Sequence, residues 1–199
     1  MTRMVRIGFT GVPGAGKTSL ARGVASSCRG IQSLKNLELC AEYARRYIAQ
    51  YGSIESIWEQ YRILNKQVNW ENAVGEVDLL ITDSPVFMGL AYASLMNTRS
   101  EKDAMILGDI FKALTKLDRP EPRYDIIFHL PPKLQPVDDG VRPKSNFDPE
   151  WRRKMDSQIT SVFTFFCPKL FHVVQADTVE ERVEECINII KGVYDVVPA

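Results

Sequence analysis

Residues 5–19 read VRIGFTGVPGAGKTS: an apolar run of strand length, a glycine-rich turn, then a lysine followed by a hydroxyl residue. The spacing from Gly11 to Thr18 fits G-x-x-x-x-G-K-[ST]. Glycines at these positions let backbone N–H groups turn inward around the β- and γ-phosphates of a nucleotide, where side chains would obstruct them. Lys17 brings a mobile positive charge to the transferring phosphate, and Thr18 brings a hydroxyl to Mg²⁺. The helix expected from residue 17 points its positive N-terminus at the same anion. Gly11, Val12, Pro13, Gly14, Ala15, Gly16, Lys17, Thr18 and Ser19 are therefore the expected nucleotide-binding residues, with ATP and Mg²⁺ as cofactors.

Outward from this loop, apolar runs of strand length recur at 5–9, 36–41 (NLELCA), 77–82 (VDLLIT), 125–130 (DIIFHL) and 170–174 (LFHVV). Helical spacing fills 17–28, about 42–51, 54–75, 87–97, 101–117, 148–166 and 178–192 between them. The alternation predicts an α/β chain with a five-stranded parallel sheet and helices on both faces, a P-loop NTPase fold. In the last helix Val179, Val183, Cys186, Ile187 and Ile190 share one face and Glu180, Glu181, Glu184 and Glu185 the other. Thr178 and Glu181 there form a capping-box pattern.

The 199 residues carry 25 basic and 25 acidic side chains, which gives no support to nucleic-acid binding driven by net charge. A chain of this length is read as one domain, residues 1–199. The four cysteines, Cys28, Cys40, Cys167 and Cys186, have neither CxxC nor zinc-like spacing and read as buried free thiols. No apolar run reaches the ~20 residues that span a bilayer, and the N-terminus lacks a signal-peptide pattern, so a cytoplasmic protein is expected.

Phosphoryl transfer also needs carboxylates near the phosphates. Asp83 ends the run VDLLITD and is the expected Mg²⁺ ligand; Asp-Ser-Pro is also good turn chemistry. Glu42 follows the second strand run in CAEYARRY. The C-terminal ends of strands one, two and three should face one crevice, which would set Glu42 opposite the phosphate loop. It reads either as the base that accepts the proton of an attacking hydroxyl or as a helix-start acid favoured by the macrodipole. Arg45 and Arg46 follow on the same helix, as readers of a polar or anionic substrate group or as solvated charges. The segment 131–149 is the longest stretch without periodicity. It includes VDDGVRPKS (137–145), in which a glycine and a proline flank Arg142. A lid over about 131–154 would deliver that arginine to the γ-phosphate, with Arg152 and Arg153 as competitors for the role. Asp138 and Asp139 are read either as holding Arg142 away from the site until phosphate competes for it, or as binding the acceptor or a metal.

The segments GVPGAGKTS, AEYARRYI, ITDSP and DDGVRP, spread over about residues 5–190, resemble the P-loop kinase-like family typified by the ribosylnicotinamide kinase half of NadR, grouped in name with AAA-type ATPase domains. The resemblance implies an ATP- and Mg²⁺-dependent kinase of a nucleoside- or nucleotide-like acceptor. It also implies a helical acceptor region at about 42–75, with Gln60, Tyr61, Gln67 and Trp70 lining the pocket. Aromatic residues at near-helical spacing such as Trp58, Tyr61 and Trp70 are more often simply core. Members of this family occur in phage genomes, where the acceptor can be a nucleotide or a hydroxymethylated pyrimidine within DNA. The chain departs from thymidylate kinases, lacking D-R-[YSH], and from deoxynucleoside kinases, lacking E-R-S.

A non-kinase module is the competing class. Thr115-Lys116-Leu117-Asp118 fits the guanine-reading pattern [NT]-K-x-D, but it ends a helical pattern instead of following a strand, and no D-x-x-G follows Asp83. An ATPase acting within a larger assembly is a further alternative. Adenine is expected between the phosphate-loop helix and Gln175-Ala176-Asp177-Thr178, a segment that reads equally as an ordinary helix cap.

Overall fold

The computed structural model describes residues 4–31, 34, 36–96, 98–119, 121–133, 144–167 and 171–194. Five strands, β1 (Val5–Gly11), β2 (Leu37–Cys40), β3 (Leu79–Asp83), β4 (Ile126–Leu130) and β5 (Phe171–Val173), form one sheet. All pairings are parallel, in the order β2-β3-β1-β4-β5. The three inner strands are buried along nearly their whole length, as strands covered on both faces must be. The helices are α1 (Lys17–Cys28), α2 (Tyr43–Tyr51), α3 (Ile57–Ala73), α4 (Met88–Leu95), α5 (Glu101–Leu117), α6 (Pro149–Phe166) and α7 (Val179–Tyr194), with a 3-10 turn at Lys144–Phe147.

Helix α1 packs on α7 and on β1 to β3, while α3, α4, α5 and α6 pack on one another as a second layer. The two layers cover opposite sides of the sheet. Gly8 shows why a small residue is needed on the second side: a Cβ there would lie 2.3 Å from Pro85 Cγ. The aromatic centre of that layer is Phe87, stacked 4.6 Å from Phe166 and edge-on to Tyr124 and Phe163.

The polar ends of the elements follow local rules. Ser56 and Glu59 form a complete capping box at α3, which begins the helix at Ile57 rather than at residue 54. Thr178 and Glu181 bond reciprocally at α7. Val179, expected on the buried face of α7, is 45% exposed, while Cys186 and Ile190 are buried. Glu185, expected on the solvent face, instead accepts from Gln175 N and Ala176 N. All four cysteines are free and buried. Burial pushes the Cys28 thiol up to about 11 and those of Cys40 and Cys167 up to about 12. No helix among the described residues is long and apolar enough to cross a membrane.

Candidate active site

Strand register decides which side chains meet. Phe9 pairs with Asp83 and Cys40 with Thr82, so the C-terminal ends of β1, β2 and β3 lie side by side. The phosphate loop, Asp83 and Glu42 all leave the sheet at that edge.

In the loop, Gly11, Gly14 and Gly16 adopt φ values of 146°, 73° and 94°. Gly11 is further constrained because a Cβ would lie 2.5 Å from Leu130 O. Gly16 is the left-handed N-cap of α1 and offers no side-chain cap, which leaves the first N–H groups of that helix facing the loop. Lys17 is buried, and its Nζ donates to Gly11 O at 2.8 Å and Val12 O at 3.0 Å. The ammonium is thus stored on the loop's own carbonyls, within reach of a bound phosphate.

Thr18 Oγ1 donates to Asp83 Oδ2 at 2.6 Å. Asp83 Oδ1 is buried with no hydrogen-bond partner among the described residues. Burial, then the charge of Glu42, push the Asp83 carboxyl above its ordinary 3.8, while Thr18, Lys17 and Arg45 pull it down. A hydroxyl beside a carboxylate with an unsatisfied buried oxygen is a hard oxygen donor set that suits Mg²⁺. The chain turns sharply just beyond, at Ser84, the one non-glycine described residue with positive φ, at 79°.

Glu42 holds the N-cap position of α2, yet its side chain makes no capping hydrogen bond. It lines two adjoining cavities, of about 170 and about 30 Å³. The larger is walled by Ile48, Leu95, Met96, Tyr92 and Trp151, with Gln60 and Asn146 as amides. The Tyr92 and Trp151 rings lie 6.4 Å apart. Gln60 and Gln67 line the smaller cavity. Tyr61 pairs with Trp58 at 5.6 Å, and Trp70 packs edge-on to Tyr43 at 4.9 Å; neither Tyr61 nor Trp70 lines these two cavities. Arg45 is half-buried and bears electrostatically on Asp83. Arg46 is exposed over the Trp70 ring, 5.7 Å from its centroid.

Arg142, Asp138 and Asp139 lie outside the described residues, as does the lid between 134 and 143. Of the two competing arginines, Arg153 is exposed, whereas Arg152 is buried and its Nη1 donates to Pro13 O in the phosphate loop. Asp156, one turn further along α6, lies 3.1 Å from His129 Nε2 at the end of β4. Past the C-terminal end of the outer strand β5, Gln175–Thr178 is held by Glu185, by the Thr178–Glu181 cap and by Lys133 Nζ, 2.8 Å from Gln175 O. Asp118, from the guanine-reading pattern, caps α5 and accepts from Arg123 N at 3.1 Å.

Sequence reasoning missed Tyr92, Asn146 and Trp151, whose convergence depends on how α4 and α6 pack. It also missed a buried polar cluster of Glu71, Arg123 and Tyr124 behind Glu42. A signal for the cluster was present: Gln60, Gln67 and Glu71 fall on the same face of α3 as Ile63 and Leu64, where polar side chains are uncommon.

No curated protein matches the sequence. Among solved structures, NadR protein in complex with NR is similar at TM-score 0.72 and 19% identity, covering 94% of this chain and 50% of that one. Thymidylate kinase from Candida albicans is similar at TM-score 0.67 and 16% identity, over 96% of this chain and 93% of that one. Deoxyadenosine kinase from M. mycoides gives TM-score 0.60 and 11% identity, over 95% and 100%. At these identities the likeness establishes a shared fold. The family model described as AAA domain matches residues 6–182, through the phosphate loop, Glu42, Asp83 and α6 alike, and the chain belongs to that family.

Proposed function

We propose that this protein transfers the γ-phosphoryl group of ATP to a hydroxyl of a nucleoside-like acceptor. The observation that carries the reading is Glu42: one carboxylate both lines the cavity beside the phosphate loop and acts electrostatically on Asp83. The shared fold of thymidylate kinase, deoxyadenosine kinase and NadR protein, solved in complex with NR, supports a nucleoside- or nucleotide-like acceptor, and the choice of a hydroxyl rests on the cavity.

In this mechanism the acceptor lies in the cavity between Tyr92 and Trp151, with Gln60 and Asn146 available to hydrogen-bond a flat polar ring. Glu42 takes the proton of the attacking hydroxyl, whose oxygen forms the new bond to the γ-phosphorus. The bond from that phosphorus to the β,γ-bridging oxygen breaks, and ADP leaves. Lys17 exchanges its two loop carbonyls for phosphate oxygens, and the N-terminus of α1 and Arg152 add positive charge where the transition state spreads negative charge. Thr18 and Asp83 would hold Mg²⁺, which when bound neutralises phosphate charge and orients it. Glu42 is the charged group among the described cavity residues, and it would repel a phosphate monoester, so a hydroxyl acceptor is favoured.

The test is incubation with Mg²⁺ and γ-labelled ATP against nucleosides, nucleoside monophosphates, nicotinamide riboside and hydroxymethylated DNA, reading product mass. One phosphate added to a free nucleoside hydroxyl is the expected result. Label on monophosphates alone would make the acceptor a phosphate, and label on DNA alone would make it a base within a polymer. Slow GTP hydrolysis with no phosphorylated product would replace the kinase reading altogether.

A further inference from the structure

Next to the smaller cavity that Glu42 and Gln67 line, the core contains a fully buried carboxylate. Glu71, on the last turns of α3, is 0% exposed, and its neighbours Arg123, Tyr124 and Gln67 are buried as well. Arg123 Nη2 and Nε donate to Glu71 Oε2 at 3.0 and 3.2 Å. Tyr124 Oη lies 2.9 Å from both Glu71 oxygens and shares its single proton between them. An ion pair buried this deeply is a weak source of stability, because desolvation offsets most of the attraction. What it does well is fix geometry.

The cluster reaches the active-site edge at two places. Tyr124 Oη, whose O–H donates to Glu71, accepts from Val86 N at 2.9 Å, three residues past Asp83. Gln67 Oε1 accepts from Tyr43 N at 2.8 Å, while its Nε2 lies 3.4 Å from Ala41 O and 3.5 Å from Glu71 Oε1. The Gln67 amide therefore grips the peptide groups on both sides of Glu42. With its oxygen committed to Tyr43 N–H, its NH₂ must face acceptors, and Ala41 O and Glu71 Oε1 lie on that side. That fixes which way the amide lies.

We propose that Gln67, Glu71 and Tyr124 are positioning residues that hold the backbone of Glu42 and the turn after Asp83 in register. The proposal rests on the reading of Glu42 as the base. Gln67 orients the base through its flanking peptides, Glu71 orients Gln67 and Tyr124, and Tyr124 anchors the turn that follows Asp83. None of the three needs to touch the reacting atoms. Their effect is to keep two like-charged carboxylates from drifting apart before substrate arrives.

The experiment compares wild type with Gln67→Met, Tyr124→Phe and Glu42→Gln by amide hydrogen exchange without ligand and by steady-state kinetics with whichever nucleoside of the panel accepts phosphate. In Gln67→Met the Tyr43 amide should exchange about tenfold faster or more, and in Tyr124→Phe the Val86 amide should do so, while other amides of α2 and α3 stay within about twofold. Turnover should fall by about tenfold or more in both, with KM for ATP within about twofold. Uniform acceleration across α2 and α3 would reduce the cluster to ordinary core support, and unchanged exchange at Tyr43 or unchanged kcat would overturn the proposal. If Glu42→Gln keeps full turnover, or no nucleoside is phosphorylated, the base reading fails while the exchange result still judges the clamp.

Discussion

Asp83 is asked to be buried, charged and close to another carboxylate, three demands that oppose one another until a cation arrives. It is 5% exposed, one oxygen is without a hydrogen-bond partner among the described residues, and burial followed by Glu42 raises its pKa. Removing the charge should therefore help the fold and end the chemistry. Asp83→Asn keeps a carbonyl oxygen for Thr18 Oγ1, and in the absence of ligand it is expected to raise unfolding free energy by roughly 1–2 kcal/mol. Mg²⁺-dependent turnover should fall by about 100-fold or more, since a neutral amide is a poor ligand for a hard divalent cation. Urea unfolding without nucleotide, set beside turnover with it, separates the two effects. A variant less stable than wild type would show that Asp83 serves the fold first.

Helix α6 illustrates how one element can reach both the cavity and the phosphate loop. Trp151 lines the proposed acceptor cavity, and the next residue, Arg152, bonds Pro13 O in the phosphate loop. Arg152→Lys keeps the charge and loses the planar fork. It should lower kcat by about tenfold or more with little change in KM for the acceptor, because the loss falls on the transferring phosphate. A change confined to KM would place Arg152 outside the transition state.

The β5–α7 junction gives a pH test. Partial burial raises the Glu185 carboxyl, but hydrogen bonds from Ala176 N, His172 and Gln175 N outweigh it, and the group ends below its ordinary 4.5. A carboxyl whose folded pKa is the lower one stabilises the fold above 4.5, and that contribution is lost as pH falls from 4.5 through the folded value. Glu185→Gln should lower stability near neutrality by about 1 kcal/mol and flatten the acid limb of the stability curve. An unaltered limb would mean that the junction is held by Lys133 and the Thr178–Glu181 cap instead.

Most elements could be read from the chain because their signals are local. The inner strands and α1, α5 and α6 lie close to where apolar period and capping residues put them. The edge strands came out shorter than their apolar runs, β2 ending at Cys40 and β5 at Val173, since each has a neighbour on one side only. Glu42 and Asp83 were visible because strand ends in a parallel sheet converge regardless of detailed packing. Arg152 was visible only as a competitor, and Tyr92, Asn146 and Trp151 not at all, because they meet only where α4, α6 and the 3-10 turn come together across long sequence separations.

At the scale of the whole molecule, the binding edge is mechanically joined to both layers. The phosphate loop runs from the central strand β1 into α1, and α1 packs so closely on α7 that a Cβ at Gly23 would lie 2.7 Å from Val183 Cγ2. Arg152 ties the same loop to α6 in the other layer. A nucleotide bound there should stabilise the molecule as a unit, not the loop alone. At 100 times its dissociation constant, a non-hydrolysable ATP analogue with Mg²⁺ should add about 2.7 kcal/mol. For a chain of this size that corresponds to a rise in Tm of about 5 to 10 °C. Lys17→Met removes the mobile charge while keeping an aliphatic stem in the buried site, and it should abolish most of that rise while leaving the ligand-free Tm within about 3 °C of wild type. Scanning calorimetry with and without nucleotide reads both quantities. An equal shift in the variant would mean that the nucleotide is held away from the glycine loop. A larger shift with the GTP analogue than with the ATP analogue would favour the guanine-reading alternative, against the observation that Asp118 is engaged in capping α5 and bonding Arg123 N.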